Sequence, residues 1–144
     1  MTTIVASVKH NCMCSDTRMT SGHAMVNSRK LEKIAGSIWG GAGDAEAIEE
    51  FFIWARLRFD PKEKPKWTAE DRPEVEILEI GSEGIRLWGS RCVPIPVDTQ
   101  FWAIGSGGLA AMGAMYAGKS PAAAVKIAML CDEYSGGSVR TLRR

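Results

Sequence analysis

The chain opens on Met1-Thr2-Thr3-Ile4-Val5, and the stretch from Thr3 to Val8 has the β-branched composition of a short strand. The small side chain of Thr2 normally permits removal of the initiator methionine, which predicts Thr2 as the new amino terminus. A terminal threonine carries a hydroxyl and a free α-amine on one residue, and an amine with a pKa of about 7.7–8.0 can act as base for that hydroxyl near neutral pH. Many proteins begin Met-Thr, so Thr2 indicates a catalytic nucleophile only in combination with other segments further along the chain.

The composition is that of an ordinary globular domain. Of the 144 residues, 45% are hydrophobic and 24% are charged, which predicts one domain over residues 1–144 and excludes bulk disorder. The net charge of +1 gives the chain too little positive charge to attract the phosphate backbone of a nucleic acid, so we expect no nucleic acid partner. No apolar run approaches the roughly 20 residues that span a bilayer, and the first residues lack the basic segment of a signal peptide. We therefore expect no membrane partner and a cytoplasmic protein.

The cysteines fit no common metal site. Cys12-x-Cys14 lies near His10 and His23, but the C-x₂-C and H-x₃₋₅-H spacings of zinc sites are absent. We interpret the two cysteines as reduced thiols on one face of a strand, with half a metal site as the alternative. The sequence therefore predicts no cofactor and no metal.

Strands are predicted in the first third of the chain and one long helix after it. The strands cover residues 3–8, 12–15 and 31–39, with a turn at Ser21-Gly22 and a break at Gly36. Asp44 is placed as the N-cap of a helix that runs to about Phe59 and carries one apolar stripe, consisting of Ile48, Phe51, Phe52 and Ala55. Asp60-Pro61 ends this helix, and a charged loop with several prolines follows.

The second half alternates again between strands and helices. Residues 93–97 are predicted to form an extended connection, because neither of its prolines can donate to a strand ladder. Strands are predicted at 74–79, 85–88, 101–104 and 138–142, and helices at 109–116 and from Pro121 onward. This order is not the strict βαβ alternation of a doubly wound fold, and it favours sheets with helices packed outside.

One glycine cluster suggests a different class of protein. Ile104-Gly105-Ser106-Gly107-Gly108-Leu109-Ala110 satisfies the G-x-G-x-x-A fingerprint of dinucleotide-binding domains. Only 34 residues follow, and no acidic residue ends a following strand where it could hold a ribose. A small dinucleotide-binding domain is therefore kept as a third interpretation.

Six segments occur in the order in which one hydrolase superfamily carries them. They are Thr2-Thr3-Ile4-Val5, Ser15-Asp16-Thr17-Arg18-Met19-Thr20, Arg29-Lys30-Leu31-Glu32-Lys33-Ile34, Gly40-Gly41-Ala42-Gly43-Asp44-Ala45, Ile104-Gly105-Ser106-Gly107-Gly108 and Cys131-Asp132-Glu133-Tyr134-Ser135-Gly136-Gly137. With them the chain resembles the β-type subunits of proteasomes and the bacterial proteasome-like peptidase HslV, which are N-terminal-nucleophile (Ntn) hydrolases. Each segment has little specificity alone, but together they span almost the whole chain.

The resemblance implies an α+β fold, the four-layer αββα sandwich of the Ntn hydrolases. Between the first predicted helix and Glu74 the chain has only the charged proline loop, where the family has a second long helix. We therefore expect one helical layer to be reduced.

The resemblance also implies that Thr2 is the nucleophile and that Lys30 is the family's catalytic lysine. A lysine beside the Thr2 hydroxyl and amine would add positive potential, which keeps the amine neutral and favours the alkoxide. Asp16 would be its counter-ion, since a buried ammonium without a partner is costly. Taken singly, Lys30 could equally be a solvated strand lysine.

The remaining catalytic residues implied by the resemblance are an oxyanion donor and a supporting group. Gly40 would give a backbone N–H to the oxyanion, with Gly41 as the open alternative. Ser106, Asp132 and Ser135 would orient the amine and a shuttling water. By the same resemblance, the substrate pocket is expected to contain Met19, Thr20, Ser28, Glu32, Ile38 and Ala42.

The resemblance implies a threonine peptidase that acts on a peptide or an unfolded protein. It implies a homo-oligomeric ring and an ATPase unfoldase as a partner, and this chain has no ATP-hydrolysis motif of its own. The alternative is a catalytically inactive subunit that keeps the fold and its assembly role.

Overall fold

Two β-sheets stack face to face in the computed structural model, which describes residues 2–144. Met1, whose removal the sequence predicts, lies outside the described residues. Along residues 2–144 the elements are β1 (Ile4–Ser7), β2 (Cys12–Asp16), β3 (Arg18–Ser21), β4 (Ala24–Asn27), β5 (Leu31–Ile34), β6 (Ser37–Gly43), α1 (Ala45–Arg56), β7 (Val75–Gly81), β8 (Gly84–Trp88), β9 (Pro94–Val97), β10 (Phe101–Ile104), α2 (Gly108–Tyr116), α3 (Pro121–Cys131) and β11 (Val139–Arg143).

Both sheets are antiparallel. One has the strand order β10-β1-β2-β11 and the other the order β5-β6-β7-β8-β9, while β3 and β4 form a separate hairpin. Ile4 of β1 lies opposite Ser15 on one side and Ile104 on the other. The first strand, β1, is therefore an inner strand of the four-stranded sheet, paired with β10 on one side and with β2 on the other.

Helices cover the outer faces of the two sheets. The interior between the sheets is apolar and includes Ile4, Met13, Ile38, Leu78 and Ile104. The helices α2 and α3 pack on the four-stranded sheet, and α1 packs on the five-stranded sheet through an aromatic cluster that includes Trp39, Phe51, Trp54 and Trp88. The layers thus follow the expected order αββα.

The helical layer over the five-stranded sheet consists of α1 and a 3₁₀ turn. Asp44 caps α1 by accepting a hydrogen bond from the Ala47 N–H at 3.0 Å, as the sequence predicts. Between Arg56 and Val75 the only helical segment is the 3₁₀ turn Pro61–Glu63. The expected reduction of one helical layer is therefore confirmed.

Two local predictions differ from the structure. The strand predicted to end at residue 39 continues as β6 through Gly43, after a tight turn at Ala35 and Gly36 with φ angles of 53° and 85°. The predicted turn at Ser21-Gly22 is confirmed, and it joins β3 and β4 into a hairpin. The extended connection over 93–97 is a strand at the edge of its sheet, where a proline without an N–H is tolerated.

Cys12 and Cys14 are reduced, lie on one face of β2 and are buried under α3, as predicted. Burial and the neighbouring Cys14 raise the pKa of Cys12 to about 11.

No helix within residues 2–144 is long and apolar enough to cross a membrane.

Candidate functional site

A cavity of about 700 Å³ opens beside the start of β1. It runs from α1, over β5 at the edge of the five-stranded sheet, to β11 at the edge of the four-stranded sheet. Thr2 and Lys30 both line it, and the rest of the lining consists of Arg18, Met19, Ser28, Arg29, Leu31, Glu32, Lys33, Gly41, Gly43, Ala45, Ile48, Glu49, Phe52, Arg56, Arg140 and Leu142.

Asp16 connects the start of β1 to Lys30. Its Oδ1 accepts a hydrogen bond from the Lys30 Nζ at 2.9 Å and another from the Thr3 N–H at 3.0 Å. Its Oδ2 accepts from the Gly136 N–H at 2.9 Å. Because one carboxylate oxygen serves both Lys30 and Thr3, the ammonium is held at the first peptide bond after Thr2.

The pKa of Lys30 is lowered from its ordinary value. Burial is the largest cause, since Lys30 is only 8% exposed, and the hydrogen bond and charge of Asp16 oppose it without cancelling it. The nearby Arg18 guanidinium lowers the pKa further. The site therefore eases proton loss from the lysine while keeping it next to a carboxylate.

Two serines and one aspartate form a second group on the other side of Thr2. The Thr2 nitrogen donates to Ser106 Oγ at 3.3 Å, and Ser106 in turn donates to Asp132 Oδ2 at 2.6 Å. Ser135 Oγ donates to the same oxygen at 2.6 Å and lies 2.7 Å from the Thr3 hydroxyl. The arrangement places a hydrogen-bond chain between the Thr2 nitrogen and a carboxylate.

The Asp132 carboxylate is stabilised in its charged form. Burial acts to raise its pKa, but the hydrogen bonds from Ser106, Ser135 and the Tyr134 N–H together outweigh burial and lower it. Asp132 is therefore an acceptor for both hydroxyls at neutral pH, which fixes the direction of the Ser106 hydrogen bond.

Glycines bring the Ser106 loop close to the chain start. Gly105 has a φ of +88° and Gly107 lies against the Thr3 hydroxyl. A Cβ at Gly105 would clash with the Thr2 carbonyl oxygen, and one at Gly107 would clash with Thr3 Oγ1. The G-x-G-x-x-A pattern is thus explained by the close approach of the loop after β10 to Thr2 and Thr3.

The two candidate oxyanion glycines face opposite sides of β6. A Cβ at Gly40 would meet Met13 Sδ at 2.9 Å and Ile4 Cγ2 at 3.0 Å, so Gly40 faces the interior between the sheets. Gly41 faces α1 and lines the cavity, and its N–H points to the Lys30 carbonyl oxygen at 3.4 Å. Because N–H groups alternate along an antiparallel strand, that of Gly40 points the other way, to β7.

The same alternation separates the residues expected in the substrate pocket. Met19, Ser28 and Glu32 line the cavity. Ile38 and Ala42 lie on the Gly40 side of β6, in the interior between the sheets, so they do not line it. Thr20 is exposed on β3 and is not among the lining residues either. A one-residue shift on β6 explains the two interior positions, since it exchanges the faces of the strand.

Sequence analysis missed two residues that contact this site. Glu76 on β7 accepts a hydrogen bond from the Gly105 N–H at 3.0 Å, which ties the Ser106 loop to the opposite sheet. Arg18 lies against the Gly136 backbone and donates to the Glu133 carbonyl oxygen at 3.2 Å. Arg18 stands within one of the recognised segments, but no spacing in the sequence indicates Glu76.

The comparisons with solved structures show the same fold over nearly the whole chain. HslV from Trypanosoma brucei matches with a TM-score of 0.66 and 23% identity, covering 99% of each chain. BPH from Thiobacillus denitrificans matches with a TM-score of 0.69 and 20% identity, and its complex with epoxomicin with 0.68 and 19%; both cover 97% of this chain and 96% of the other. No family model and no curated protein sequence matches the chain. The expected HslV-like Ntn-hydrolase fold is therefore confirmed.

Proposed function

We propose that this chain is a threonine-type amidohydrolase, acting as a peptidase, whose nucleophile is the Thr2 hydroxyl once Met1 has been removed. One observation carries the proposal: Asp16 Oδ1 binds both the Lys30 Nζ and the Thr3 N–H, at 2.9 and 3.0 Å, next to a cavity that Thr2 lines. The Thr2 nitrogen, which becomes the free amine, already contacts Ser106. These contacts support a site in which Thr2 supplies the nucleophile and the base and Lys30 supplies the activating cation.

Acylation uses the two functional groups of Thr2. Its hydroxyl oxygen attacks the carbonyl carbon of the scissile amide, and its amine accepts the hydroxyl proton. The proton then passes to the leaving nitrogen as the amide bond breaks, which leaves an ester on Thr2. A water molecule attacks the ester, gives its proton to the same amine and releases the carboxylic acid product, so the residue is regenerated.

Lys30 acts by its position and charge. A cation beside the Thr2 hydroxyl stabilises the developing alkoxide and disfavours protonation of the amine. Asp16 holds the cation in place, because a buried ammonium left without a carboxylate would be costly. On the other side of Thr2, the Ser106–Asp132 hydrogen bond orients the amine as a proton acceptor.

Gly41 is the better candidate for the oxyanion donor. The N–H that can serve a substrate carbonyl must face the cavity, and the Gly41 N–H is directed at the Lys30 side with a long 3.4 Å contact that a substrate oxygen can replace. One such donor is worth roughly 2.7–4 kcal/mol in other hydrolases. We therefore assign the role to Gly41 in place of Gly40.

The proposal extends to assembly and location in the terms that the resemblance implies. We propose a homo-oligomeric ring formed by single-domain subunits in the cytoplasm, acting on peptides or unfolded proteins with an ATPase unfoldase as partner. Large apolar side chains on the outer helices, Leu109 and Leu130, are about 90% exposed, which supports association with other surfaces.

Intact mass and covalent labelling test the nucleophile. The purified chain should lack Met1, and a peptide epoxyketone should add one equivalent, because this electrophile closes a ring with both the hydroxyl and the amine of a terminal threonine. Thr2→Ala should take no label, whereas Thr68→Ala, which alters an exposed loop threonine, should label like wild type. Retained Met1 with no label would contradict the proposal and favour the inactive assembly subunit.

A nucleotide-binding assay addresses the third interpretation. If the glycine loop serves only close packing against Thr2 and Thr3, NAD and NADP should not raise the thermal unfolding midpoint. A clear rise that is lost on substitution of Ser106 would instead favour a dinucleotide site.

A further inference from the structure

The cavity beside Thr2 is cationic, although the whole chain is nearly neutral with a net charge of +1. Two of its lining residues carry carboxylates, Glu32 and Glu49. Six carry cations, and they are Arg18, Arg29, Lys30, Lys33, Arg56 and Arg140. The excess of cations is therefore a property of this site and not of the overall composition.

Both lining carboxylates are bound by a single cation. The Arg56 guanidinium lies 2.6 Å from Glu32 Oε2 and 2.9 Å from Glu49 Oε1, on the α1 side of the cavity. Hydrogen bonds that the guanidinium donates to the two glutamates hold the pKa of Arg56 above its ordinary value. Both lining glutamates thus pair with Arg56, and neither is paired with Arg29, Lys33 or Arg140.

Those cations have few partners within residues 2–144. Lys30 is bound by Asp16, and Arg18 donates to a backbone carbonyl of Glu133. The side chains of Arg29, Lys33 and Arg140 make no hydrogen bond or ion pair with another described residue. Arg29 and Lys33 are exposed and Arg140 is half-buried, so their charges face the cavity or the solvent at its mouth.

We infer, on the basis of the proposed peptidase function, that this site selects peptides with Asp or Glu side chains within about three residues of the scissile bond. β5 begins directly after Lys30, and a strand rises about 3.3 Å per residue, so Lys33 lies roughly 10 Å further along the chain than Lys30, about the length of three residues of an extended peptide. A cleft lined by one sign of charge concentrates ligands of the opposite sign. Carboxylates on the peptide would supply the partners that Arg29, Lys33 and Arg140 lack.

A binding experiment tests this preference separately from catalysis. The Thr2→Ala chain, which cannot acylate, is titrated with fluorescein-labelled heptapeptides that differ only in having Glu, Gln or Lys at the three central positions. We expect the Glu peptide to bind at least about tenfold more tightly than the Gln peptide at low salt, and the difference to shrink as ionic strength rises. Equal affinity for the Glu and Gln peptides would overturn the inference.

Removing cations from the cavity tests whether the preference for acidic peptides arises there. In the double variant Lys33→Gln/Arg140→Gln, made in the Thr2→Ala background, the Glu-to-Gln affinity ratio should fall about threefold or more. The matched control Lys119→Gln removes an exposed cation between α2 and α3 and should keep the wild-type ratio. An equal fall in the control and in the double variant would overturn the assignment to this cavity.

Turnover by the wild-type chain distinguishes this inference from the proposed function. Cleavage of Glu and Gln peptides with equal kcat/KM would support the peptidase and overturn the acidic preference. No cleavage and no epoxyketone label, together with preferential binding of the Glu peptide, would overturn the peptidase and support the acidic site.

Discussion

Asp16 and Lys30 join the two sheets of the sandwich through an ion pair of 2.9 Å at the edge of the cavity. Asp16 ends β2 in the four-stranded sheet, and Lys30 immediately precedes β5 in the five-stranded sheet. Asp16 is fully buried and accepts three hydrogen bonds, from Lys30, Thr3 and Gly136. The pair therefore fixes the relative position of the sheets at the point where Thr2 and Thr3 lead into β1.

Replacing the lysine should remove reactivity and leave the fold. In Lys30→Ala, the rate of epoxyketone labelling at Thr2 should fall at least about a hundredfold, because the cation that favours the alkoxide is gone. The far-ultraviolet circular dichroism spectrum should be unchanged, since Asp16 keeps its bonds to Thr3 and Gly136. Lys119→Ala, an exposed lysine far along the chain, is the control, and labelling of both variants at the same rate would overturn the role of Lys30.

Replacing the aspartate should lower both stability and activity. Asp16→Asn leaves the buried Lys30 without its counter-ion, and breaking a buried pair in this way costs about 3–5 kcal/mol of unfolding free energy. Urea denaturation followed by tryptophan fluorescence measures this loss. The double variant Asp16→Asn/Lys30→Met should recover part of it, because no unpaired charge remains, and an additive loss would indicate that the two residues are not energetically coupled.

Acid should weaken the fold in part through Asp132. Because its pKa is lower in the folded chain than the ordinary value of 3.8, the unfolded chain binds more protons in that range. Its stabilisation is therefore complete above about pH 4 and is lost as the pH falls through the lowered value. The difference in unfolding free energy between wild type and Asp132→Asn should shrink over the same range, and a difference independent of pH would contradict this account.

Much of the architecture could be predicted from local patterns, because periodicity, caps and turn residues act within a few positions. The helix after Asp44 follows from such signals, whereas the shortened helical layer was expected from the resemblance to the Ntn hydrolases. The face of β6 could not be predicted, since a slip of one residue exchanges Gly40 for Gly41 and moves Ile38 and Ala42 into the interior.

Contacts between single side chains that are far apart in the sequence could not be predicted either. Glu76 lies on a strand whose alternation predicts only an exposed glutamate, and its bond to the Gly105 N–H depends on how the two sheets stack. Arg29, Lys33 and Arg140 likewise meet at one cavity only because β5 and β11 lie at neighbouring sheet edges. Such pairs require tertiary geometry.

The oxyanion assignment can be checked by a crystal structure of the epoxyketone adduct. The oxygen derived from the attacked ketone should lie 2.7–3.1 Å from the backbone nitrogen of Gly41, the range expected for an oxyanion donor. The Gly40 nitrogen should remain in the ladder with β7. An adduct oxygen bound by the Gly40 nitrogen instead would show that Gly40, and not Gly41, is the oxyanion donor.

Glu76 should act as a positioning residue through the Ser106 loop. Loss of its hydrogen bond to the Gly105 N–H in Glu76→Ala frees the loop that places Ser106 against the Thr2 nitrogen. A hydrogen bond of this kind is worth about 1 kcal/mol, so the rate of epoxyketone labelling at Thr2 should fall about fivefold. Glu76→Gln keeps an acceptor oxygen and should restore most of the rate. If Glu76 acted only through its negative charge, Glu76→Gln would lose as much rate as Glu76→Ala. Glu74→Ala removes a neighbouring exposed carboxylate and serves as the control; a loss in Glu76→Gln as large as in Glu76→Ala would overturn the positioning role.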